Sequence, residues 1–292
     1  MTAPLMPAFW CNGTLAEQTR AYAGLFPGAL IDGRPAAVWG PGAMAALLTL
    51  DGCDVQLIDG GPMYAPTPAL SLFVQRQTEA GVRALWDGLA DGGTVLMPLD
   101  AWPWARLFGW VQDRWGVTWP VNLGPLHEVG RAITPYLTFT GPAAGKARAA
   151  LDLYARALPG LTVDGIHDHD GSGPDPAGTV MHAQIRLRGG TMMLSDSAHP
   201  HAWGFTPGTS LSVLCDTQDQ VDRLWDLLSS EGGQPARCGW LTDPFGVSWQ
   251  IVPRLLHDTM LTGTADQKAR LVAAFLPMGK LDIATLAAAI HG

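Results

Sequence analysis

Basic residues are scarce in this chain. Its 292 residues include 18 Lys and Arg against 26 Asp and Glu, a formal net charge of −8, and the only lysines are Lys146, Lys268 and Lys280. No basic run occurs, so a nucleic-acid backbone has nothing to grip, and the acidic balance reads as solubility rather than as a partner signal. Charged residues are few, at 15%, while hydrophobic residues reach 47%, enough to bury a large core and to exclude a disordered chain. No segment approaches the ~18 consecutive apolar residues of a membrane span. Residues 1–10 have no basic start and no long apolar run, so a signal peptide is not expected. The four cysteines, at 11, 53, 215 and 238, form no C-x-x-C pair and match no zinc or redox spacing. They read as reduced, mostly buried thiols of a cytoplasmic protein. A G-x-S-x-G elbow is missing, and Gly171 and Gly173, a lone pair in a loop before two prolines, make no phosphate cradle.

What the chain does contain is itself, twice. DRWGVTW at 113–119 echoes DPFGVSW at 243–249, an offset of 130. LWDGL at 85–89, followed by Gly92 and Gly93, echoes LWDLL at 224–228, followed by Gly232 and Gly233. Tyr22 with Phe26, Pro27 and Gly28 echoes Tyr154 with Leu158, Pro159 and Gly160, and the run from Gly52 to Asp59 echoes the run from Gly189 to Asp196. Four echoes in one order argue for duplication. The units are placed at 5–124 and 131–254, joined by 124–130. A tail, 255–292, carries helix-like stretches at 265–275 and 283–290.

Within the second unit, 133–140 reads as a strand, 145–158 as a helix stopped by Pro159 and Gly160, and 180–187 and 191–196 as a hairpin about Gly189 and Gly190. Then come a strand at 210–215, a helix at 218–230, and strands at 236–241 and 247–252. Each unit is therefore two half-units of βαβββ form, read as short antiparallel strands. HDHDGSGPDPA at 167–177 interrupts one of them and reads as an exposed loop.

YLTFTG at 136–141, VMHA at 180–183, MLSD at 193–196 and DPFGVSWQIVP at 243–253 resemble the PhnB-like group of the vicinal oxygen chelate superfamily, often labelled demethylubiquinone methyltransferase-like. WPWARLFGWVQD at 102–113 and the tail segments 265–270 and 278–283 are similar to the same group, whereas 33–42 departs from it. The superfamily also includes glyoxalase I, bleomycin-resistance proteins and extradiol dioxygenases. The resemblance implies an α+β fold of two tandem units, each of paired βαβββ half-units forming a cupped eight-stranded sheet. It also implies a pseudo-dimer within the chain, with a homodimer left open.

Metal-using members are similar in placing His and Glu ligands on four strands of a unit. Here those positions fall near Pro135, Met193, Ser210 and Gln250, and near Pro7, Gln56, Ala69 and Pro120, with no His, Asp, Glu or Cys among them. No metal and no cofactor are therefore expected. Methyl transfer is not expected either, because the strand before Gly141 lacks the α/β alternation of a parallel nucleotide-binding sheet.

Strand alternation puts His182, Gln184 and Arg186 on one face, and Ser248 with Gln250 on another. His182, Gln184, Ser248, Gln250 and Gln56 are the pocket candidates, with His182 expected near Gln250; the alternative for His182 is a solvated edge or one structural hydrogen bond. Trp104, Phe108, Trp110 and Trp119 read as core; alternatively Trp104, beside Trp102 on the proline-containing loop, is a candidate pocket wall. His167 and His169 alternate with aspartates in a loop, as ligands or as a solvated segment. His199 and His201 lie on a connection that overlies the cup mouth in metal-free relatives, and Asp196 also reads as a turn residue ending its strand.

Three functions compete: a metal-independent small-molecule binder, a metal-independent enzyme with His182 as acid or base, and a scaffold whose cups have closed.

Overall fold

The computed structural model describes residues 5–35, 44–187 and 190–291. Four half-units follow one another. The first comprises β1 (Met6–Cys11), α1 (Leu15–Leu25), β2 (Leu30–Ile31), β3 (Arg34–Pro35), β4 (Ala45–Leu50) and β5 (Cys53–Asp59). The second comprises β6 (Leu70–Arg76), α2 (Glu79–Ala90), β7 (Thr94–Trp102), β8 (Ala105–Gln112) and β9 (Thr118–Leu123); α3 (Leu126–Val129) then lies in the connection between units. The third comprises β10 (Ile133–Phe139), α4 (Ala147–Ala157), β11 (Thr162–Asp168), β12 (Val180–Leu187) and β13 (Gly190–Asp196). The fourth comprises β14 (Thr209–Cys215), α5 (Gln218–Leu228), β15 (Gln234–Pro235), β16 (Trp240–Thr242) and β17 (Ser248–Pro253), and the tail adds α6 (Arg254–Thr262), α7 (Ala265–Phe275) and α8 (Ile283–His291).

The repeated residues set matching boundaries. The Thr78 and Thr217 hydroxyls accept from the N–H groups of Gly81 and Gln220 and so cap α2 and α5. Helices α1 and α4 stop where the N–H groups of Phe26 and Leu158 bond back to the carbonyls of Tyr22 and Tyr154. Beyond those stops, Gly28 and Gly160 both take φ +82°.

The strands form two sheets. Sheet A runs β15-β16-β17-β14-β1-β5-β4-β2-β3, and sheet B runs β11-β12-β13-β10-β6-β9-β8-β7. The α+β class and the half-unit order match the sequence reading, but the composition of each sheet differs from it. Each sheet takes one half from each unit, through the antiparallel seams β1–β14 and β6–β10. The physical reason lies at the first strand of each half-unit. It pairs inside the half-unit only with the last strand, so its other edge needs a partner strand for its N–H and C=O groups. Any other first strand supplies one, and residues 60–69 carry the chain from sheet A to sheet B instead of turning it back. A second difference is direction. The first and last strands of each half-unit run parallel, so the sheets are mixed rather than antiparallel throughout.

Other boundaries shift locally. β11 reaches Asp168, so His167 is in a strand and only the remainder of 167–177 is a loop. α6, unforeseen, begins directly after Pro253. The turn at Gly189 lies outside the described residues, although Leu187 and Gly190 on either side of it pair; most of the divergent stretch 33–42 lies outside them too.

Helices α1 and α5 lie on sheet A, and α2 and α4 on sheet B. The helices also pack on one another across the sheets. A Cβ at Gly88 of α2 would sit 2.2 Å from Cδ2 of Leu25 on α1, so the glycine lets these helices close. One continuous core results, with side chains from both sheets.

The DxxGVxW repeat turns out to be a buried clasp. Oδ1 of Asp113 accepts the N–H groups of Trp115 (2.9 Å) and Val117 (3.1 Å), while Oδ2 accepts the Tyr22 hydroxyl (2.6 Å) and the Trp119 indole (2.8 Å). Asp243 repeats this with Phe245 (2.9 Å), Val247 (3.0 Å), Tyr154 (2.7 Å) and Trp249 (3.0 Å). Gly116 and Gly246, at φ +91° and +94°, allow the two turns to wrap their aspartates. Burial pushes both carboxyls up from their usual value, and the hydrogen bonds pull them back.

Burial also raises the thiols of Cys11 and Cys215 to about 12 and that of Cys53 to about 11. Among the described residues no helix is long and apolar enough to cross a membrane.

Asp113→Asn and Asp243→Asn each leave a buried indole N–H facing an amide that cannot accept at both positions. Each should lower unfolding free energy by roughly 1–3 kcal/mol in urea titration, the cost of an unsatisfied buried donor. A loss below about 0.5 kcal/mol, the size of an ordinary surface substitution, would contradict the clasp.

Candidate functional site

The helices cover one face of each sheet, and the candidate residues fall on the other. These two faces differ. On sheet A, Gln56, Ala8, Ser210 and Ser248 form one row of paired residues, and Met6, Ser212, Gln250 and Trp240 the next. Six of these eight are buried: Met6, Ala8, Ser210, Ser212, Ser248 and Gln250. The Gln250 amide donates to Ser210 Oγ at 3.0 Å, and the buried hydroxyls of Ser212 and Ser248 have no partner among the described residues. Val252, next along this face of β17, packs into the tail cluster of Leu256, Leu271, Leu281, Leu286 and Ile290. The centre of this face is closed to solvent, and only its margins, including Gln56, Trp10 and Trp240, are half-buried.

Sheet B is open. Phe73 pairs with Thr134, and Trp110 with Pro120. Tyr136 lies between Ser71 and Met193, and Gln184 pairs with Met193. Phe108 pairs with Asn122. Alternation brings Phe73, Phe108, Trp110, Tyr136, His182 and Gln184 to this one face, and all six are half-buried.

The His182 ring stands edge-on to Tyr136 with centroids 5.9 Å apart. Burial raises the Tyr136 hydroxyl, and a hydrogen bond with Ser195 partly offsets that. The connection between units closes one end of the face: Gln75 donates to the Pro125 carbonyl, Gln184 to that of Glu128 and Thr191 to that of Val129.

Above the face passes the strap 197–206, which joins β13 to β14. The Trp203 ring meets Trp110 edge-on, with centroids 6.0 Å apart, and His201 stacks on Trp203 at 4.3 Å. The strap is pinned by Ala198 N–H on Asp175 (2.5 Å), by Ser197 Oγ with His201 Nε2 (3.0 Å) and by Thr67 on the Gly204 carbonyl (2.8 Å).

The structure thus divides the sequence candidates. Gln250, Ser248 and Gln56 gather on sheet A; His182 and Gln184 lie on sheet B. The expected nearness of His182 to Gln250 is corrected, because the seams put the first half of the second unit in one sheet and its last half in the other. Trp104 is 65% exposed at the β7–β8 hairpin end, stacked on Trp102. Asp196 is more than a turn residue: it is buried and accepts the N–H groups of Ala147, at the start of α4, and Val180. Trp119 is core as expected, whereas the core reading of Phe108 and Trp110 is corrected: alternation turns both away from the helices, and they stand half-buried on the other face of sheet B. Tyr136 and Phe73 were missed, although alternation along Ile133–Phe139 sets Tyr136 and Thr138 apart from Ile133, Pro135, Leu137 and Phe139.

A divalent ion, implied by the metal-using relatives, needs imidazole, carboxylate or thiolate donors in a fixed cage. On sheet A the open-face positions are Ala8, Gln56, Ser210 and Gln250; on sheet B they are Tyr136, Met193, Ser71 and Thr118. Neither set fits. Among the described residues no three His, Cys, Asp or Glu side chains are grouped to hold an ion.

A family model described as 3-demethylubiquinone-9 3-methyltransferase matches residues 3–122 and again 131–252. Two uncharacterized proteins of Mycobacterium tuberculosis, strains CDC 1551 and H37Rv, are 26% identical over 163 residues, which cover 49% of this chain and 82% of theirs. The PhnB protein of Bacillus cereus, described as a candidate 3-demethylubiquinone-9 3-methyltransferase, is 31% identical over 40% of this chain and 96% of its own, with a TM-score of 0.36. Glyoxalase I of Zea mays shares the fold over 89% of this chain and 95% of its own, with a TM-score of 0.58 at 12% identity.

Burial, with His167 opposite, holds the His182 imidazole below its ordinary 6.5. Below that pH the native state binds fewer protons here than the unfolded chain, so stability present above 6.5 is lost as the pH falls through the native value. Urea unfolding at about pH 7.5 and about pH 5 should show a smaller acid-side loss in His182→Asn than in the parent. Identical losses in the two proteins would contradict the burial of His182.

Proposed function

The chain belongs to the 3-demethylubiquinone-9 3-methyltransferase family in two tandem copies, and from that premise we propose that it is a metal-independent small-molecule-binding protein whose ligand seats on the open face of sheet B. The observation that carries the reading is the contrast between the faces. Four half-buried aromatic side chains with His182 beside them form a concentrated apolar surface, the usual lining of a small-molecule site. The six buried residues at the centre of sheet A include no aromatic ring, and there Gln250 is bonded to Ser210. Gln250, Ser248 and Gln56 accordingly take a structural part in this reading, and His182 and Gln184 belong to the ligand site. Because β6 and β10 come from different units, one chain completes the site as its own pseudo-dimer, without a second copy.

Methyl transfer, the activity in the family's description, finds less support. After β10 the chain enters a single turn of 3-10 helix at Gly141–Ala143, and the sheet it leaves is mixed rather than a doubly wound parallel one. A second reading, acid or base catalysis by His182, is favoured by its place beside Tyr136 and by the burial that keeps its imidazole neutral.

Native mass spectrometry of the full chain against a metabolite library should show one ligand per chain, with Tyr136→Ala losing it and Gln250→Leu retaining it. Loss in Gln250→Leu with retention in Tyr136→Ala would move the site to sheet A. No adduct from any compound, together with no ligand-dependent rise in melting temperature, would support the scaffold function instead.

A further inference from the structure

The chemistry of the sheet-B face narrows the ligand class, an inference that rests on the binding reading above. The four central strands, β13, β10, β6 and β9, direct Thr191, Met193, Ser195, Thr134, Tyr136, Thr138, Ser71, Phe73, Gln75, Thr118, Pro120 and Asn122 to this face, and none carries a charge. Charges begin only on the flanking strands. Arg186 of β12 is engaged with Asp164 at 2.7 Å, and Asp100 and Arg106 are exposed on the outermost hairpin. His182 is held neutral by burial, and His167, opposite it on the edge strand β11, is exposed. An ion seated here would lose hydration and gain no counter-charge.

The walls are flat. Phe73 and Trp110 flank Pro120 in one row of the face, Tyr136 stands on the strand adjacent to Phe73, and Trp203 of the strap approaches Trp110 edge-on. One donor is left over among these rings. The Trp110 indole N–H is buried and has no hydrogen-bond partner among the described residues. Buried donors are nearly always paired, so an acceptor oxygen, of water or of a ligand, belongs beside it.

We infer that the sheet-B site takes an uncharged, planar aromatic molecule bearing an acceptor oxygen, held between the Phe73–Trp110–Tyr136 surface and Trp203 of the strap. Entry of such a molecule replaces the edge contact between Trp110 and Trp203 by stacking on its own faces. The oxygen takes the unpaired donor of Trp110.

Calorimetric titration of the full chain with three probes of one ring system tests this: 2-naphthol, 2-naphthoate and 2-naphthylmethylammonium at neutral pH. The naphthol should bind about tenfold or more tightly than either ion, and Trp203→Ala and Trp110→Ala should each weaken it by a factor of up to about ten. Trp203→Ala alters only the strap, so it remains informative where Trp110→Ala perturbs the sheet. Either ion binding as tightly as the naphthol, with binding still lost in both variants, overturns the ligand class and leaves the site in place. Binding of all three probes unchanged in both variants overturns the site itself. Failure of all three to bind overturns the ligand class.

Discussion

A buried carboxylate, used twice, holds this molecule together. Asp113 and Asp243 each take four donors from three separate places: two backbone N–H groups of the turn, an indole from the following strand, and a tyrosine hydroxyl from a helix of the neighbouring half-unit. The tyrosine matters most for architecture. Tyr22 belongs to a helix on sheet A and reaches a turn of sheet B, while Tyr154 belongs to a helix on sheet B and reaches a turn of sheet A. The halves of each unit share no sheet, and within the common core these two clasps are polar ties between them. A carboxylate so placed is costly to bury alone and is stabilised only when all its partners are in position, so the clasps fix the relation between the sheets rather than merely adding to stability.

From that arrangement the division of labour follows. Exchanging half-units puts both seams, β1–β14 and β6–β10, at the centres of the sheets and leaves on each a face without helices. The two faces have diverged. Sheet A carries serines and a glutamine that bond to one another or remain buried, and the tail helices pack against its end. Sheet B keeps its aromatic side chains half-exposed under a strap and has the connection between units sewn to its end. The reading of sheet B as the binding face rests on this difference.

Much of this was legible in the sequence. The DxxGVxW echo marked the clasps before any role was known for them, and the strand ranges 180–187 and 265–275 for the tail helix coincide with the observed elements. Period-two alternation correctly separated His182 and Gln184 from Ala183 and Ile185. What alternation cannot carry is the partner of an edge. Every first strand has the same unpaired edge and a similar apolar pattern, so the repeat alone does not distinguish closure within a unit from exchange between units. For that reason Gln250 and His182, on the same unit, were expected together and lie on different sheets. Tyr136 and Phe73 were hidden for a related reason: aromatic residues in strands pack in cores so often that half-exposure on a face is visible only once the sheet is assembled.

The central claim is the β6–β10 seam, because the proposed site on sheet B requires strands of both units to pair there. Thr138 N–H bonds to the Ala69 carbonyl and Gln75 N–H to that of Ala132, which puts Leu70 with Leu137 and Val74 with Ile133, like Leu72 with Pro135, among the pairs without mutual hydrogen bonds. In such pairs the Cα atoms approach to about 4.5 Å, close enough for their protons to be seen together. Nuclear Overhauser measurements on the full chain should therefore show contacts between the Cα protons of Leu70 and Leu137 and of Val74 and Ile133. Contacts from β6 to β1 in their place would mean that each unit closes its own sheet, and would contradict the account.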